Sequence, residues 1–521
     1  MQIPFKNELL ARGNNYFNKS VDPACLTYFR ICFGLLISWQ AWIIINGTPT
    51  SDPPWIWTFL SEKTMYFKYW PFDFVHALPA NFLFILTYIL VVCGFMVAIG
   101  LFYRVSASVI FLIFTYIFLI EKARYEHHLY LICLLSFLMI FVPAGKNFTI
   151  ATLIGPNPRV VENISNWAIW LFRIQMGLVY FFAGIAKLHY DWLLRAEPVS
   201  MWISDYSGVP FLEHLSNIPA TPYAMSYIGL ILDVLAFPLL CHYRSRAFTY
   251  FILIIFHLLN SHLFGVGIFP SIMILTTAIF FDNTWPKQLV NDIKQFNYPR
   301  LLLVLFGATF GFVLGHLLYV PQEHPVQIAG AIGMGIFFYH IDEPFKSKVK
   351  TAKHQISCSG QDEFAKTSSR KTNLITGLIL LWIISQLIIP IRHIFIPGNV
   401  NWTNEGHYFT WRVKLNIKEA DAIFTIHDKQ KNEQWQLDPH VFLTEWQYET
   451  MITRPDLIIQ FVKFVETYLN ENGYPDIGIT ANIKMSLNGN HPQLLLDPNK
   501  DLTKVSYPWV GHASWILNPT Q

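Results

Sequence analysis

Apolar stretches long enough to cross a lipid bilayer, about 17–25 residues each, recur along most of this 521-residue sequence. Hydrophobic residues make up 53% of the chain and charged residues 14%, whereas a soluble domain carries about 25% charged residues. The pattern predicts a mainly α-helical, polytopic membrane protein with about 9–11 spans. The candidate spans are 25–45, 81–103, 104–120, 127–143, 166–186, 223–242, 246–263, 266–282, 300–320, 326–341 and 373–391.

The charge balance and the cysteines exclude several classes of protein. The chain has 37 basic and 34 acidic residues, a net charge of +3, which leaves no basic excess for nucleic-acid binding. Its six cysteines include no CxxC pair, and most lie in or beside apolar runs. We therefore expect no metal centre and no disulfide framework.

Basic residues in the loops indicate which side of the membrane each loop faces, because cytoplasmic loops carry the Lys/Arg excess. With eleven spans and a cytoplasmic N-terminus, most basic loops fall on the inner side, the exceptions being Lys63, Lys68 and the mixed segment 121–124. No removable signal peptide is visible. The predicted division is a cytoplasmic segment 1–24, a transmembrane domain 25–342, a cytoplasmic linker 343–372, a last span 373–391 and an extracytoplasmic domain 392–521.

The segment after the last span is rich in charged residues and has the patterns of an α+β domain. Apolar and polar residues alternate over 411–418 and again over 422–426, which predicts a half-buried β-hairpin. An apolar stripe over 455–473, with Pro at its start and Gly at its end, predicts a helix. Another alternating run, 477–487, leads into the hairpin signal Asn488-Gly489.

A lysine at the end of the fifth span is the first candidate for chemistry, since ionisable groups in or beside spans are costly. Lys187 and Tyr180 lie two helical turns apart on one face, and Ala183 and Gly184 allow a helix or ligand to approach closely. Partly desolvated, Lys187 could act as a base near neutral pH. The alternative is a lysine that extends to the membrane interface.

Two groups of polar residues lie in or beside other spans. His127 and His128 open the fourth span and point to different helix faces, which argues against a shared metal ion; an interfacial histidine is the alternative. His257, Asn260 and Ser261 in the seventh span share one face. Hydrocarbon satisfies none of these groups, so they either line a site or hydrogen-bond to neighbouring helices.

The predicted topology brings these groups together. His128, Lys187 and Asn260 all lie at the outer ends of their spans and converge beneath the predicted extracytoplasmic domain. Asp233, midway along the sixth span, is too costly to leave charged and unpaired. We expect it to pair with Arg173 or Lys187, or to stay protonated.

The same segments resemble the vitamin K-dependent γ-glutamyl carboxylase family, also called the horizontally transferred transmembrane-domain family. The resemblance runs from about residue 25 to the C-terminus in the same order, and the AGxxKLxxDW and FHxxNSxLF patterns are its most specific parts. The matching stretches are EHHLYLICLL (126–135), VYFFAGIAKLHYDWL (179–193), ILDVLAFPLLCHYRSRA (231–247), FHLLNSHLFGVGIF (256–269) and PIRHIFIPGNVNWTNEGHYFTWRVKL (390–415).

The resemblance implies a reaction and a set of residues. In the family, a lysine at the position of Lys187 deprotonates reduced vitamin K, which reacts with O2; the glutamyl side chain loses a γ-proton, takes up CO2, and the quinone leaves as its epoxide. His128 matches a catalytic histidine that helps bind and polarise the quinol. His257, Asn260, Tyr180 and His127 are the expected quinol-binding residues, and Trp402, Thr403 and Asn404 the expected substrate-binding residues.

Departures from the animal enzymes suggest a bacterial-type member in the inner membrane, with reduced vitamin K or menaquinol as co-substrate. His127 stands where the animal enzymes have asparagine, Glu405-Gly406 replaces a glycine-leucine pair, and the apolar pair at about 300–341 has no evident animal counterpart. The expected partners are a glutamyl peptide or protein and the membrane quinone. Two alternatives stay open: a quinol epoxidase or oxygenase that does not carboxylate, and a non-enzymatic transporter or scaffold.

Overall fold

The structure is a computed structural model and describes residues 16–47, 65–147, 149, 162–204, 214, 217–264, 266–318, 324–343, 369–508 and 511–519. Residues 1–15, Lys63 and most of the predicted linker 343–372, with Cys358, lie outside the described residues.

Apolar helices occupy the positions of the predicted spans. The polytopic helical architecture is therefore confirmed. The helices are α1 (Ala24–Asn46), α2 (Ala80–Ile99), α3 (Tyr103–Ile120), α4 (His127–Phe141), α5 (Trp167–Ile185), α6 (Thr221–Cys241), α7 (Arg246–Phe264), α8 (Phe269–Thr277), α9 (Tyr298–Leu317), α10 (His324–Tyr339) and α11 (Ser369–Ile391).

The helices differ in whether they can cross a membrane alone. Within the described ranges, eight are long and apolar enough to do so: α1, α2, α3, α5, α6, α7, α9 and α11. The helices α4, α8 and α10 are apolar but shorter. The count is therefore eight by length and composition, and the prediction of about eleven depends on these three.

The helices α9 and α10 pack as a hairpin with their backbones in contact. A Cβ at Gly311 would lie 2.3 Å from the carbonyl oxygen of Gly330, and one at Gly307 would lie 2.6 Å from that of Met334. Small residues allow this approach between membrane helices. On its other side α10 lies against α8, where a Cβ at Gly333 would meet Ile274 at 2.7 Å. The α9-α10 hairpin therefore packs against α8 through α10.

The C-terminal domain is built on an antiparallel sheet of four strands in the order β2-β1-β3-β4. Its helix α13 buries the apolar stripe predicted from the sequence, and Gly473 just beyond it has a φ of 93°. The α+β prediction is confirmed. The elements are β1 (Lys418–Asp428), β2 (Glu433–Leu437), α12 (Glu445–Met451), α13 (Pro455–Glu471), β3 (Ile477–Leu487) and β4 (Gln493–Leu494).

The predicted strand over 411–418 is wrong. Strand pairing begins only at Lys418, and residues 411–417, here the connecting segment, are irregular. Trp411 and Lys414 have φ values of 57° and 46°, a left-handed conformation that breaks an extended chain. The alternation arises because the segment runs between the two domains: Leu415 packs in a buried cluster with Trp192 of the membrane domain.

Buried polar contacts hold the C-terminal domain against the loop between α3 and α4. Gln447 Nε2 donates to Glu121 Oε2 at 2.9 Å, and the Glu121 side chain is buried. Beside it, Lys122 Nζ lies 2.6 Å from Asp456 Oδ2, which also accepts from the Tyr408 hydroxyl at 3.0 Å. Because these groups are shielded from water, the contacts fix the C-terminal domain more firmly than exposed ion pairs would.

A second contact joins the tip of the β3-β4 hairpin to the segment after α5. Asn488 and Gly489 form the turn, with φ values of 51° and 70°, as a type I′ turn requires. Asn488 Nδ2 donates to Asp191 Oδ2 at 3.0 Å, and Arg195 Nη1 donates to Asn490 Oδ1 at 2.6 Å. The hairpin signal in the sequence thus marks a point where the two domains meet.

Candidate active site

An apolar cavity of about 240 Å³ lies among α5, α6, α7 and α8, at the end of the membrane domain that faces the C-terminal domain. Most of its wall is aliphatic or aromatic. Its polar side chains include Tyr180, Lys187, Asp233, His257 and Asn260. The cavity has the character of a small-molecule site, with a few placed polar groups on an apolar wall.

Lys187 lies in this wall as half of a buried ion pair. Its Nζ is 2.6 Å from Asp233 Oδ2 and donates to the carbonyl oxygen of Ala183 at 3.1 Å. The α5 and α6 backbones meet at Gly184, where a Cβ would lie 2.9 Å from the nitrogen of Val234. The side chain is 6% exposed, so it is enclosed by the protein.

The partner of Asp233 was left open by the sequence, and the structure identifies it as Lys187. Arg173, the other candidate cation, instead donates to the carbonyl oxygens of Ile279 and Phe281, both at 2.9 Å. Both members of the Lys187–Asp233 ion pair line the cavity, whereas Arg173 hydrogen-bonds to the backbone of the membrane domain.

A hydrogen-bonded pair of side chains closes the deep end of the cavity. The Tyr180 hydroxyl lies 3.0 Å from His257 Nε2 and 3.2 Å from Thr277 Oγ1. Asn260, one turn along α7 from His257, also lines the cavity, whereas Ser261 is buried. The structure thus brings Lys187, Tyr180, His257 and Asn260 to one cavity.

A polar cavity of about 300 Å³ lies beside the apolar one. The two share Val266, Phe269, Val413 and Lys414 as wall residues. The polar cavity contains three cationic side chains and is otherwise lined largely by histidines and parts of the connecting segment. Its lining residues are Tyr125, Glu126, His127, His128, Val266, Phe269, His407, Arg412, Val413, Lys414, Leu415, Asn416 and Arg454.

Among the described residues, the three cations of the polar cavity form no ion pair, and the one carboxylate in its lining, Glu126, lies against His128. Arg412 is 6% exposed, and its Nη2 donates to Asn401 Oδ1 at 2.6 Å while its Nε has no hydrogen-bond partner in the described part of the chain. Burial lowers the pKa of the Arg412 guanidinium to about 10. Lys414 and Arg454 add two further charges. Within the described ranges Arg412 is thus a buried cation without an ion-pair partner, which is costly, so this wall is suited to an anion.

Both predicted histidines of α4 lie in the polar cavity, next to the apolar one. His128 Nδ1 is 3.0 Å from Glu126 Oε2. The His127 ring packs edge-on against those of Tyr125 and His407, with centroids 5.2 and 5.8 Å apart. In the described part of the chain, no group of three or more His, Cys, Asp or Glu residues is arranged to hold a metal ion.

Trp402, Thr403 and Asn404 are buried and line neither cavity. Trp402 Nε1 donates to the carbonyl oxygen of Leu517 at 2.8 Å. Lys418 Nζ donates to the Trp402 carbonyl and to Asn404 Oδ1, both at 3.0 Å. Burial lowers the pKa of Lys418 well below its usual value. The structure therefore gives these residues internal contacts, and their contact with a substrate stays a prediction.

The neighbouring pair Glu405-Gly406 also has a structural place. Glu405 accepts from the backbone nitrogen of Ala513 at 2.8 Å and lies 2.7 Å from His512 Nδ1. Gly406 has a φ of 73°, and a Cβ there would lie 2.9 Å from the Cα of His393. The pair therefore fastens the C-terminal segment beside the end of α11.

Family models match both halves of this architecture. A model described as the HTTM domain matches residues 18–285, just over half of the chain, and a model of the vitamin K-dependent gamma-carboxylase lumenal domain matches residues 371–521. The chain belongs to the vitamin K-dependent γ-glutamyl carboxylase family. No solved structure matches it. The α9-α10 hairpin lies between the two regions that match the carboxylase family.

Sequence reasoning missed the cationic wall of the polar cavity. Arg412 and Lys414 were expected on the solvent side of a strand, because they alternate with apolar residues. The left-handed conformations of Trp411 and Lys414 place the segment against the cavities instead, and no glycine marks them. The one available signal was the position of the segment within the resemblance to the carboxylase family.

Proposed function

We propose that the protein is a quinol-dependent γ-glutamyl carboxylase in which the apolar cavity binds the quinol and the polar cavity binds the glutamyl side chain. The observation that carries the proposal is the Lys187–Asp233 pair, 2.6 Å apart, in the wall of a cavity that adjoins a cationic one. The overall reaction converts glutamyl, CO2, O2 and quinol into γ-carboxyglutamyl, quinone epoxide and water.

The apolar cavity fits the ring of a naphthohydroquinone such as reduced vitamin K or menaquinol. Its wall is apolar except at a few groups that can hydrogen-bond to the two ring hydroxyls: Lys187, His257 and Asn260. When bound, the quinol supplies the reducing power and, with O2, a base strong enough to remove a γ-proton. Exclusion of water by the cavity protects such a base.

In this proposal Lys187 Nζ removes the proton of a quinol hydroxyl. A charged lysine cannot do so, and its proton has an acceptor at hand in Asp233 Oδ2. The two side chains are already hydrogen-bonded, so in this proposal the lysine proton passes directly from Lys187 Nζ to Asp233 Oδ2. Asp233 thus holds the proton while Lys187 acts as the base. Tyr180 orients His257 through the hydrogen bond between its hydroxyl and His257 Nε2.

The polar cavity is the proposed place for the glutamyl carboxylate. The Arg412 guanidinium can bind a carboxylate through its unpartnered Nε, and charge-assisted bonds of this kind are the stronger ones. Lys414 lines both cavities, so a carboxylate held near it has its γ-carbon close to the quinol. His128, which lines the polar cavity, is the proposed polarising group.

The cationic wall supports this proposal over an epoxidase that does not carboxylate, because quinol oxygenation alone has no use for an anion site. The deciding experiment uses purified protein in lipid nanodiscs with reduced vitamin K or menaquinol, O2, labelled bicarbonate and a glutamyl peptide. We expect epoxide and labelled peptide together. Epoxide from several quinols without label in any peptide would establish the epoxidase. The absence of both products would overturn the proposal.

We also propose that the protein lies in a bacterial inner membrane with its C-terminal domain outside the cytoplasm. The distribution of basic loops supports this orientation. Cys358, in the predicted cytoplasmic linker, and a cysteine introduced as Gln430→Cys, at an exposed turn of the C-terminal domain, provide the test in intact cells. An impermeant thiol reagent should label only the second. Equal labelling would contradict this orientation.

A further inference from the structure

The apolar cavity is closed at its deep end and open at two places. Val179, Tyr180, His257 and Met273 at the deep end are 1–2% exposed. Two other lining residues are exposed: Lys414, toward the polar cavity, and Ile228, at 57%. The cavity therefore has one cationic opening and one apolar opening.

The apolar opening lies on the outer surface of α6. The neighbouring Tyr227 and Ile231 are also exposed, at 42% and 54%. Only 33% of the apolar 18-residue stretch of α6 is buried inside the protein. In a membrane this face contacts hydrocarbon, so the opening at Ile228 leads to the bilayer and the one at Lys414 leads away from it.

Ile228 at the apolar opening and Lys187 line the same cavity, and Gly229 lies between them. Gly229, directly after Ile228, lines the cavity, and a Cβ there would have only ordinary contacts, 3.8 Å from Phe256 and 4.0 Å from the Cε of Lys187. The cavity wall also includes Trp202, whose ring lies edge-on to that of Phe264 at 4.5 Å. A glycine at position 229 leaves this part of the cavity free of a side chain.

We propose that a quinol bearing an apolar chain enters sideways from the bilayer past Ile228 and keeps its chain in this opening while its ring lies beside Lys187. This inference rests on the proposed function. The cavity volume of about 240 Å³ has room for a fused two-ring system but not for a long isoprenoid chain as well. The chain must leave the cavity, and the opening at Lys414 is cationic and polar.

The test compares two quinols on two variants. Ile228→Asn makes the opening polar; Ile231→Asn makes the same change one turn further, at a residue that does not line the cavity. With a naphthohydroquinone that bears an isoprenoid chain, Ile228→Asn should raise the apparent KM for epoxidation about tenfold more than with the chain-less ring, since a few buried CH2 groups are involved. Equal effects on both quinols, or equal effects of both variants, would overturn the inference.

A binding measurement separates this inference from the proposed function. A quinone with a photoreactive group at the end of its chain, bound to the purified protein in nanodiscs, needs no turnover to report its position. We expect the label on Met225, Ile228, Trp202 or Phe264 and its loss when chain-bearing quinone is added in excess. A label on the connecting segment 411–417 would overturn the inference even if epoxidation is observed.

Discussion

The two cavities of the candidate active site share part of their walls but differ in the charges that they contain. Apart from Lys414, which lines both cavities, the charged groups of the apolar cavity form an internally matched pair, Lys187 with Asp233. The polar cavity holds Arg412, Lys414 and Arg454 without an acidic partner in the described part of the chain. Matched charges suit proton transfer, whereas unmatched cations suit recognition of an anion. The difference supports the proposed division, with base chemistry in the apolar cavity and substrate recognition in the polar one.

The largest effect should come from the base of the apolar cavity. We expect Lys187→Ala to reduce epoxide formation about 1,000-fold, the scale of a lost general base, and carboxylation with it, because carboxylation depends on the oxygenated quinol. Lys187→Arg should not restore activity, since a guanidinium stays protonated. A small exogenous amine should restore part of the epoxide.

The exposed Lys146, paired with Glu162 at 2.8 Å, provides the control as Lys146→Ala, which should keep full activity. Unchanged epoxide formation by a folded Lys187→Ala protein would remove this lysine from the chemistry.

A change in the polar cavity should separate the two products. Arg412→Ala should lower kcat/KM for the glutamyl peptide about 100-fold, the cost of a charge-assisted bond of about 2–3 kcal/mol, and leave peptide-independent epoxide formation within about threefold of the wild type. Lys429→Ala, in the same domain and 3.1 Å from Asp501, is the matched control. Parallel loss of both products in Arg412→Ala would mean that the wall between the cavities had collapsed.

The proton acceptor of the apolar cavity can be tested separately from the base. Asp233→Asn retains shape but cannot take a proton from Lys187, so we expect maximal epoxide formation to fall about 30-fold, within the usual range for acid-base groups. The KM for the quinol should change less than kcat. Steady-state epoxidation measures both constants, and a change in KM alone would reduce Asp233 to a packing residue.

The residues that line neither cavity should have a smaller and selective effect. Asn404→Ala removes an acceptor of Lys418 Nζ and should weaken peptide carboxylation about tenfold, the cost of about one buried hydrogen bond, with less effect on epoxide formation. Trp402→Ala should act in the same direction. Comparable loss of both products would show that this segment only packs the site.

The smallest effect concerns stability and pH. Burial lowers the pKa of His407, in the polar cavity, well below its usual value. Below about pH 6.5 the unfolded chain binds a proton at this residue that the folded chain does not. The free energy of unfolding therefore decreases as the pH is lowered, by up to about 1.4 kcal/mol per pH unit. His407→Gln should therefore lose less thermal stability than the wild type between pH 6.5 and 5. Identical losses would show that another group controls this dependence.

Hydropathy was enough to predict the membrane helices, because a span must be apolar over its whole length whatever it packs against. The same holds for α13 and β3, whose buried stripes are regular. Asp233 could be recognised as needing a partner but not matched to one, since Arg173 and Lys187 were equally available on α5 and just beyond it. The polar cavity could not be predicted, because Trp411 and Lys414 adopt left-handed conformations that no glycine marks in the sequence. Residues 411–417 therefore line the cavity instead of forming a strand.

The contacts between the two domains set a condition on the substrate. Asn488 with Asp191, Gln447 with Glu121 and Lys122 with Asp456 fasten the C-terminal domain at separate points. These contacts oppose movement of the C-terminal domain away from the membrane domain. Under the proposed function, a slender, extended stretch of chain is then the form in which a glutamate reaches the polar cavity without such movement. We expect the natural substrates to present their glutamates in flexible tails or before they fold.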